Sequence, residues 1–225
     1  MEARREAAAI RELTGLAQDD RVLDLGCGWG RHLGLLRGAG HDVTGVDRPL
    51  PLLRLARAED TGAAGRLVAG DMRRLPFGDG AFDAVLNVAT SLGLFLDDAE
   101  AVRALGEARR VVRPRGRLLL EGMHRDDVVT DYAARDRWLL DDGTAVRARR
   151  RFDALAGVSH EVLRWRRADG GEGRKRHSLR LRTATEVAGL LEAAGWAVEA
   201  AFGDWDGAPF RHDAPRLIFL ATAGR

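Results

Sequence analysis

The stretch RVLDLGCGWG, Arg21 to Gly30, places one acid inside an apolar run and follows it with glycines at every second position. Asp24 precedes Gly26, Gly28 and Gly30. Glycine tolerates positive φ and lets the backbone approach a ligand closely. A dinucleotide fingerprint would need G-x-G-x-x-G, but the third place holds Arg31 counting from Gly26, and Leu33 counting from Gly28. A Walker loop would end in G-K-[ST], and Lys175 is the only lysine in the chain. Neither phosphate motif fits. An acid beside an open glycine turn suits a ligand that carries an ammonium group and no phosphate.

Two further acids extend the pattern. Asp47 closes DVTGVD, where a carboxylate can accept both hydroxyls of a ribose. Asp71, in AGDMRRLPF, can accept from an adenine amino group while the Met72 backbone N–H donates to the ring. S-adenosylmethionine, a sulfonium with an amino-acid tail and an adenosine head, answers to all three acids.

Those acids must stand at the tips of successive strands. VLDLG, HDVTGVD, RLVAGD, FDAVLNVAT (Phe82 to Thr90) and RGRLLLEGMH (Arg115 to His124) read as strands. Helical patterns separate them, among them RHLGLLRGAG, PLLRLARAED and DDAEAVRALGEARRVVRP. The last of these starts acidic, ends basic and stops at Pro114. Met1 to Leu16 is also helical in pattern. Alternation of this kind predicts an α/β fold with a parallel sheet covered on both faces, and ligands bind beyond the carboxyl ends of such strands. From Asp136 to Thr183 the rhythm changes to strands without helices, which predicts an antiparallel β insertion. A helix starting at Thr183 or Thr185 and stopping at Gly195 follows, then two more strands.

VLDLGCGWGRH, VTGVDRP, GDMRRLPF and FDAVLNVATSLGLF, in that order, resemble the successive motifs of class I S-adenosylmethionine-dependent methyltransferases, over about Arg21 to His124. The resemblance implies a Rossmann-like seven-stranded sheet, mostly parallel with the last strand antiparallel, in one domain over residues 1–225. It carries the cofactor roles onto Asp24, Gly26, Gly28, Asp47, Asp71 and Met72, with Cys27, Arg48 and Asn87 beside them. Arg48-Pro49 departs from the small or hydroxyl residue of many relatives.

The acceptor residues are expected near the fourth and fifth strand ends and in the insertion. The segment after Asn87 lacks the N-P-P-[YF] pattern of many nucleic-acid and protein N-methyltransferases. It resembles the small-molecule branch instead, including amino-sugar N-methyltransferases and glycine/sarcosine-type enzymes, in which an insertion at this place covers the acceptor. Methyl transfer to nitrogen or oxygen of a small molecule is the expected activity. An RNA or protein methyltransferase and a non-catalytic cofactor-binding module are the alternatives. His124 is the candidate base or acceptor-orienting group, the other reading being a solvated loop histidine. Ser91, Arg125, Tyr132, Arg180 and Trp205 are candidate acceptor contacts. His177 and Arg180 differ in strand parity, so only one can face inward; Arg180 is taken as the anion binder. In GDWDGAPF, Trp205 is either a wall of the acceptor site or a core tryptophan in a hairpin.

The whole chain of 225 residues carries a formal charge of only +2, with 45% hydrophobic and 31% charged residues, as a soluble globular protein does. No run is apolar enough to span a bilayer, and MEARREAAAIRELTGL is too charged for a signal peptide. With Cys27 the only cysteine, a cytoplasmic setting is expected. Neither a membrane nor a nucleic acid is expected as partner. The insertion's arginines read as a solvated sheet face, and no Cys/His cluster has metal-ligand spacing. The sequence leaves the oligomeric state open.

Overall fold

The computed structural model describes residues 2–60 and 65–224. Seven strands form one sheet: β1 (Arg21–Leu25), β2 (Asp42–Asp47), β3 (Leu67–Ala69), β4 (Phe82–Asn87), β5 (Val112–Met123), β10 (Trp196–Phe202) and β11 (Arg216–Ala223), in the order β10-β11-β5-β4-β1-β2-β3. β1 to β5 pair in parallel, and β11 runs antiparallel to both β5 and β10. The expected seven-stranded sheet with an antiparallel last strand is the fold observed.

Helices cover both faces: α1 (Glu2–Thr14), α2 (Arg31–Gly38), α3 (Leu50–Glu59), α4 (Asp98–Val111), the short α5 (Arg125–Thr130) and α6 (Ala184–Ala193). Burial divides into two clusters. Leu23, Val85, Leu118 and Phe219 pack with α4 and α6, while Val22, Leu86, Leu119 and Ile218 pack with α1 and α2. Neighbouring strand residues thus fall on opposite faces, as a sheet buried on both sides demands. The α4 N-terminus is capped by Asp97 and that of α6 by a capping box between Thr183 and Glu186. Among the described residues no helix is long and apolar enough to cross a membrane.

The insertion is a separate four-stranded antiparallel sheet, β6 (Arg135–Leu139), β7 (Ala145–Asp153), β8 (Val158–Arg166) and β9 (Glu172–Arg180), paired in chain order. The sequence patterning signals only three of these strands. All five residues of β6 are exposed, so it lacks the apolar alternation by which a strand is recognised. Nor does Pro114 separate α4 from β5. The strand begins at Val112, and Pro114 lies in an irregularity where β5 slips against β4 between Phe82 and Ala84, a place that tolerates a missing N–H donor.

One contact fixes the glycine loop to the sheet. The N–H groups of Gly26 and Cys27 both donate to the Val46 carbonyl, at 2.8 and 3.1 Å. The Cys27 side chain then lies against Gly45 of β2. A Cβ at Gly45 would stand 2.6 Å from Leu33 Cδ1 and 2.8 Å from Cys27 Sγ. Gly45→Ala should therefore destabilise the fold by about 1–3 kcal/mol through overpacking, read as a lowered urea midpoint at unchanged m-value.

Candidate functional site

The loop after β1 takes left-handed backbone at Gly26, Gly28 and Gly30, with φ of 85°, 57° and 83°. Each serves a different need. A Cβ on Gly26 would meet Ser91 Oγ at 2.7 Å, and one on Gly30 would meet Ala56 Cβ at 3.0 Å, whereas nothing lies within 4 Å of that position at Gly28. The loop therefore packs tightly at its ends and is open at its middle.

Asp24 stands beneath it, 1 % exposed, and its Oδ2 has no hydrogen-bond partner. Burial, reinforced by the Asp47 charge and only partly offset by Arg31, pushes its carboxyl up to about 7. A buried acceptor without a donor is costly, and a ligand ammonium at this place would relieve it. Asn87 presents a second unpartnered buried acceptor, Oδ1. Its Nδ2 donates to the Leu25 carbonyl at 2.8 Å, tying β4 to the loop. Because Asp24 pairs with Leu86, Asn87 lies on the opposite face of the sheet, beside Met72.

Asp47 at the tip of β2 accepts the Gly28 N–H at 2.6 Å and the Arg48 N–H at 2.7 Å. It therefore pins the loop, and each oxygen keeps a further lone pair. Next to it opens a cavity of about 280 Å³, lined by Asp47, Arg48, Asp71, Met72, Leu94 and Phe95 among others. Asp71 is gripped by Arg73, whose Nε and Nη2 reach its two oxygens at 2.9 and 2.6 Å, and Arg73 also pairs with Glu100. Those bonds hold the Asp71 carboxyl down at about 2, so it stays ionised. Tip by tip, these residues offer acceptors for an ammonium, two hydroxyls and an amino group, and no phosphate cradle. They fit S-adenosylmethionine. Cys27 differs from the rest of the expected set: its thiol is buried against β2, which raises its pKa, so only its backbone faces the loop's ligand side.

The turn after β4 carries a feature that sequence reasoning missed. Ala89 and Thr90 both have positive φ, 56° and 61°, which is unfavourable for residues with a Cβ. Glu121 of β5, 4 % exposed, holds them: its Oε2 accepts the Ala89 N–H at 2.7 Å and its carbonyl accepts the Thr90 N–H at 3.3 Å. Arg216 completes the carboxylate at 3.0 Å. An acid inside the apolar run LLLEGM is the same signal that marks Asp24. Ser91 donates to the Val88 carbonyl and packs under Gly26, so it supports the loop rather than an acceptor.

Four expected acceptor or catalytic residues are committed elsewhere. His124 is 1 % exposed; its Nδ1 hydrogen-bonds the Ala214 carbonyl at 3.0 Å, Nε2 faces Asp126 at 3.7 Å and the ring meets Phe210 edge-on. Nδ1 is engaged, and through it and the Phe210 contact the buried ring holds the β10–β11 connection. Arg125 pairs with Asp126 and Glu186. Trp205 is a core residue against α1, packed with Ala7 and Ile10. Arg180 points to Glu186 at 3.1 Å. Parity does admit only one of His177 and Arg180 to the inner face, and it is His177.

His177 lines a second cavity, about 450 Å³, between the insertion sheet, α5 and Met123. Its Nε2 lies 3.2 Å from Glu161 Oε2, and its Nδ1 is buried without a partner. Arg150 grips the other Glu161 oxygen. Tyr132 also lines the cavity and hydrogen-bonds Ser159 at 2.7 Å. This cavity adjoins the turn after β4: the Met123 N–H donates to Thr90 Oγ1 at 3.1 Å, and Leu179 packs against Gly93.

Residues 22–116 match the family model described as "Methyltransferase domain". The chain is 42% identical over 104 residues to a demethylmenaquinone methyltransferase of Thermus thermophilus, covering 44% of this chain and 46% of that protein. It thus spans less than half the length of such curated relatives. Among solved structures, CalS10, an amino pentose methyltransferase from Micromonospora echinaspora solved with S-adenosylmethionine bound, is 28% identical with a TM-score of 0.75, covering 99% of this chain and 90% of that one. The CcbJ methyltransferase from Streptomyces caelestis superposes with a TM-score of 0.85 over 98% and 94% of the two chains at 20% identity, a likeness of fold.

Two outcomes test the cofactor residues. In the free protein Asp24 keeps its proton between about pH 4 and about pH 7 while the unfolded chain loses it, so stability should fall as pH rises through that window, by about 4 kcal/mol in full. Asp24→Asn should abolish that decline in denaturant titrations. Calorimetry should show S-adenosylmethionine affinity rising with pH across the same range in wild type and not in Asp24→Asn. Asp47→Ala, which deletes a charge-assisted acceptor, should weaken cofactor binding by about 10- to 100-fold.

Proposed function

We propose that this class I S-adenosylmethionine-dependent methyltransferase domain methylates a nitrogen or oxygen of a small molecule held between the insertion sheet and the end of β5. The observation that carries the reading is the cavity there, with His177 anchored by Glu161 and its Nδ1 left free. When bound, the cofactor supplies a methyl group on a sulfonium, open to in-line attack.

The chain's own residues do the rest. Asp24, Asp47 and Asp71 fix the cofactor at the strand tips. The turn held by Glu121 sets the boundary between the cofactor loop and the acceptor cavity. In this reading Glu161 accepts the Nε2 proton of His177, which leaves Nδ1 as the nitrogen that takes a proton from an acceptor hydroxyl or ammonium. Once protonated, the ring is stabilised by the same carboxylate. The insertion covers the acceptor and excludes water, and positioning supplies much of the rate.

A small acceptor suits a cavity of this size, and CalS10, an amino pentose methyltransferase, acts on an acceptor of the same class. A single buried thiol is consistent with work in a reducing cytoplasm.

The test is S-adenosylhomocysteine formation with a panel of amino sugars, phenols and hydroquinols, set against RNA and a protein extract. Turnover with a small molecule and none with the macromolecules is expected. His177→Gln should then lower kcat on the order of 10²-fold with cofactor affinity intact. Turnover with RNA alone, or an unchanged kcat in that variant, overturns the reading.

A further inference from the structure

The acceptor cavity uses one face of the insertion sheet, and the other face is left over. Charge is segregated onto it. Residues 135–180 hold 13 basic residues against seven acidic ones, while the rest of the chain holds 23 against 27. Strand register brings Arg137, Arg147, Arg164 and Arg174 into one row across all four strands, with Arg149 and Arg176 in the next. All six are exposed, and among the described residues none of them forms an ion pair. Neighbouring strands are about 4.8 Å apart and alternate residues about 7 Å apart, so the guanidinium groups form a closely spaced grid. Desolvation first, and then Arg176 and Arg164 alongside, push Arg174 below its ordinary pKa.

The face also shows what it is suited to. Register puts Trp138 and Trp165 on the opposite face; Trp165 alone reaches the edge of the grid, over Gly173, where it shares a cavity with Arg147, Arg164 and Arg174, and one ring makes no run of platforms for successive bases. Exposed leucines flank the grid instead. Leu139, on the arginine face beside Ala145, is 69 % exposed, and Leu155, in the β7–β8 turn at the other end of β7, is fully exposed. A second copy of the chain would bring like charges together. Cations over a broad face with apolar side chains at its ends match the headgroup and acyl boundary of an anionic bilayer.

We propose that the arginine face of the insertion sheet is a peripheral docking surface for anionic phospholipid membranes. It requires no spanning segment and does not depend on the acceptor assignment. It replaces the expectation that this face is merely solvated and that no membrane is a partner.

Co-sedimentation of the full chain with vesicles tests it. Binding is expected to phosphatidylcholine vesicles containing phosphatidylglycerol, not to phosphatidylcholine alone, and should weaken with salt. The combined Arg147→Glu, Arg164→Glu and Arg174→Glu variant should lose at least fivefold per residue, with S-adenosylmethionine affinity unchanged as the check on folding. If that variant does not fold, the three Arg→Gln changes serve, with a smaller loss per residue. Leu139→Ser with Leu155→Ser should weaken binding while leaving its salt dependence. No binding to anionic vesicles, equal binding to neutral ones, tighter binding to single-stranded RNA, or indifference to the leucine changes would each overturn the proposal.

Discussion

A carboxyl group at the end of β1, out of contact with water and lacking a donor, is the constraint around which this site is built. Asp24 is unfavourable as a charge where it stands, and a second carboxylate, Asp47, makes it more so. Among the described residues the opposing cation is Arg31, and that guanidinium is already shared with Glu6, which also holds His32 at 2.8 Å. The free protein thus keeps this carboxyl protonated up to about pH 7. A cationic ligand would favour its ionised form, and a phosphate would oppose it. The glycines complete the loop in two ways: Gly28 leaves its middle open, whereas Gly26 and Gly30 admit the close approach of Ser91 and Ala56.

The second dependence runs through Glu121. Two consecutive non-glycine residues in left-handed backbone cost roughly 1–3 kcal/mol each, and they persist only when their surroundings over-determine them. The Glu121 carboxylate does so from the neighbouring strand, and Arg216 on β11 is needed to keep that carboxylate satisfied in turn. Arg216 also reaches Glu2 on α1 and Asp204 in the β10–β11 connection. Four distant stretches of sequence are therefore bound to the shape of one turn.

This explains what was legible beforehand. The three acids at strand tips could be read because each is a charge at the end of an apolar run, and local sequence is enough to place it. The strands themselves followed from apolar periodicity, except β6, whose residues are all exposed. The burial of His124 is not legible in the sequence, because it comes from Phe210 and Ala214, some ninety residues further on, and nothing near it in sequence announces them. Arg180 and His177 were correctly separated by parity, but parity does not say which face looks inward. That was decided by Glu186 on α6, which draws Arg180 away and leaves His177 to the cavity. Trp205 turned into the core for the same reason of distant contact, its neighbours being residues of α1.

The insertion sheet shows how far one periodicity can carry two purposes. Alternate residues of β7, β8 and β9 send Arg150, Glu161 and His177 to the cavity and Arg149, Arg164 and Arg174 to the opposite face. A slip of one residue would exchange the two sets, placing unpaired arginines over the acceptor and the paired dyad in water. The register is held by what each face cannot accept. The inner face buries Val146 and Ala148 and brings Trp165 over Gly173, a fit that a side chain at Gly173 would prevent. The outer face is arginine-rich, and its apolar residues, Val158 and Val162 among them, lie apart from that inner packing. The separation of charge from cavity is thus enforced by packing.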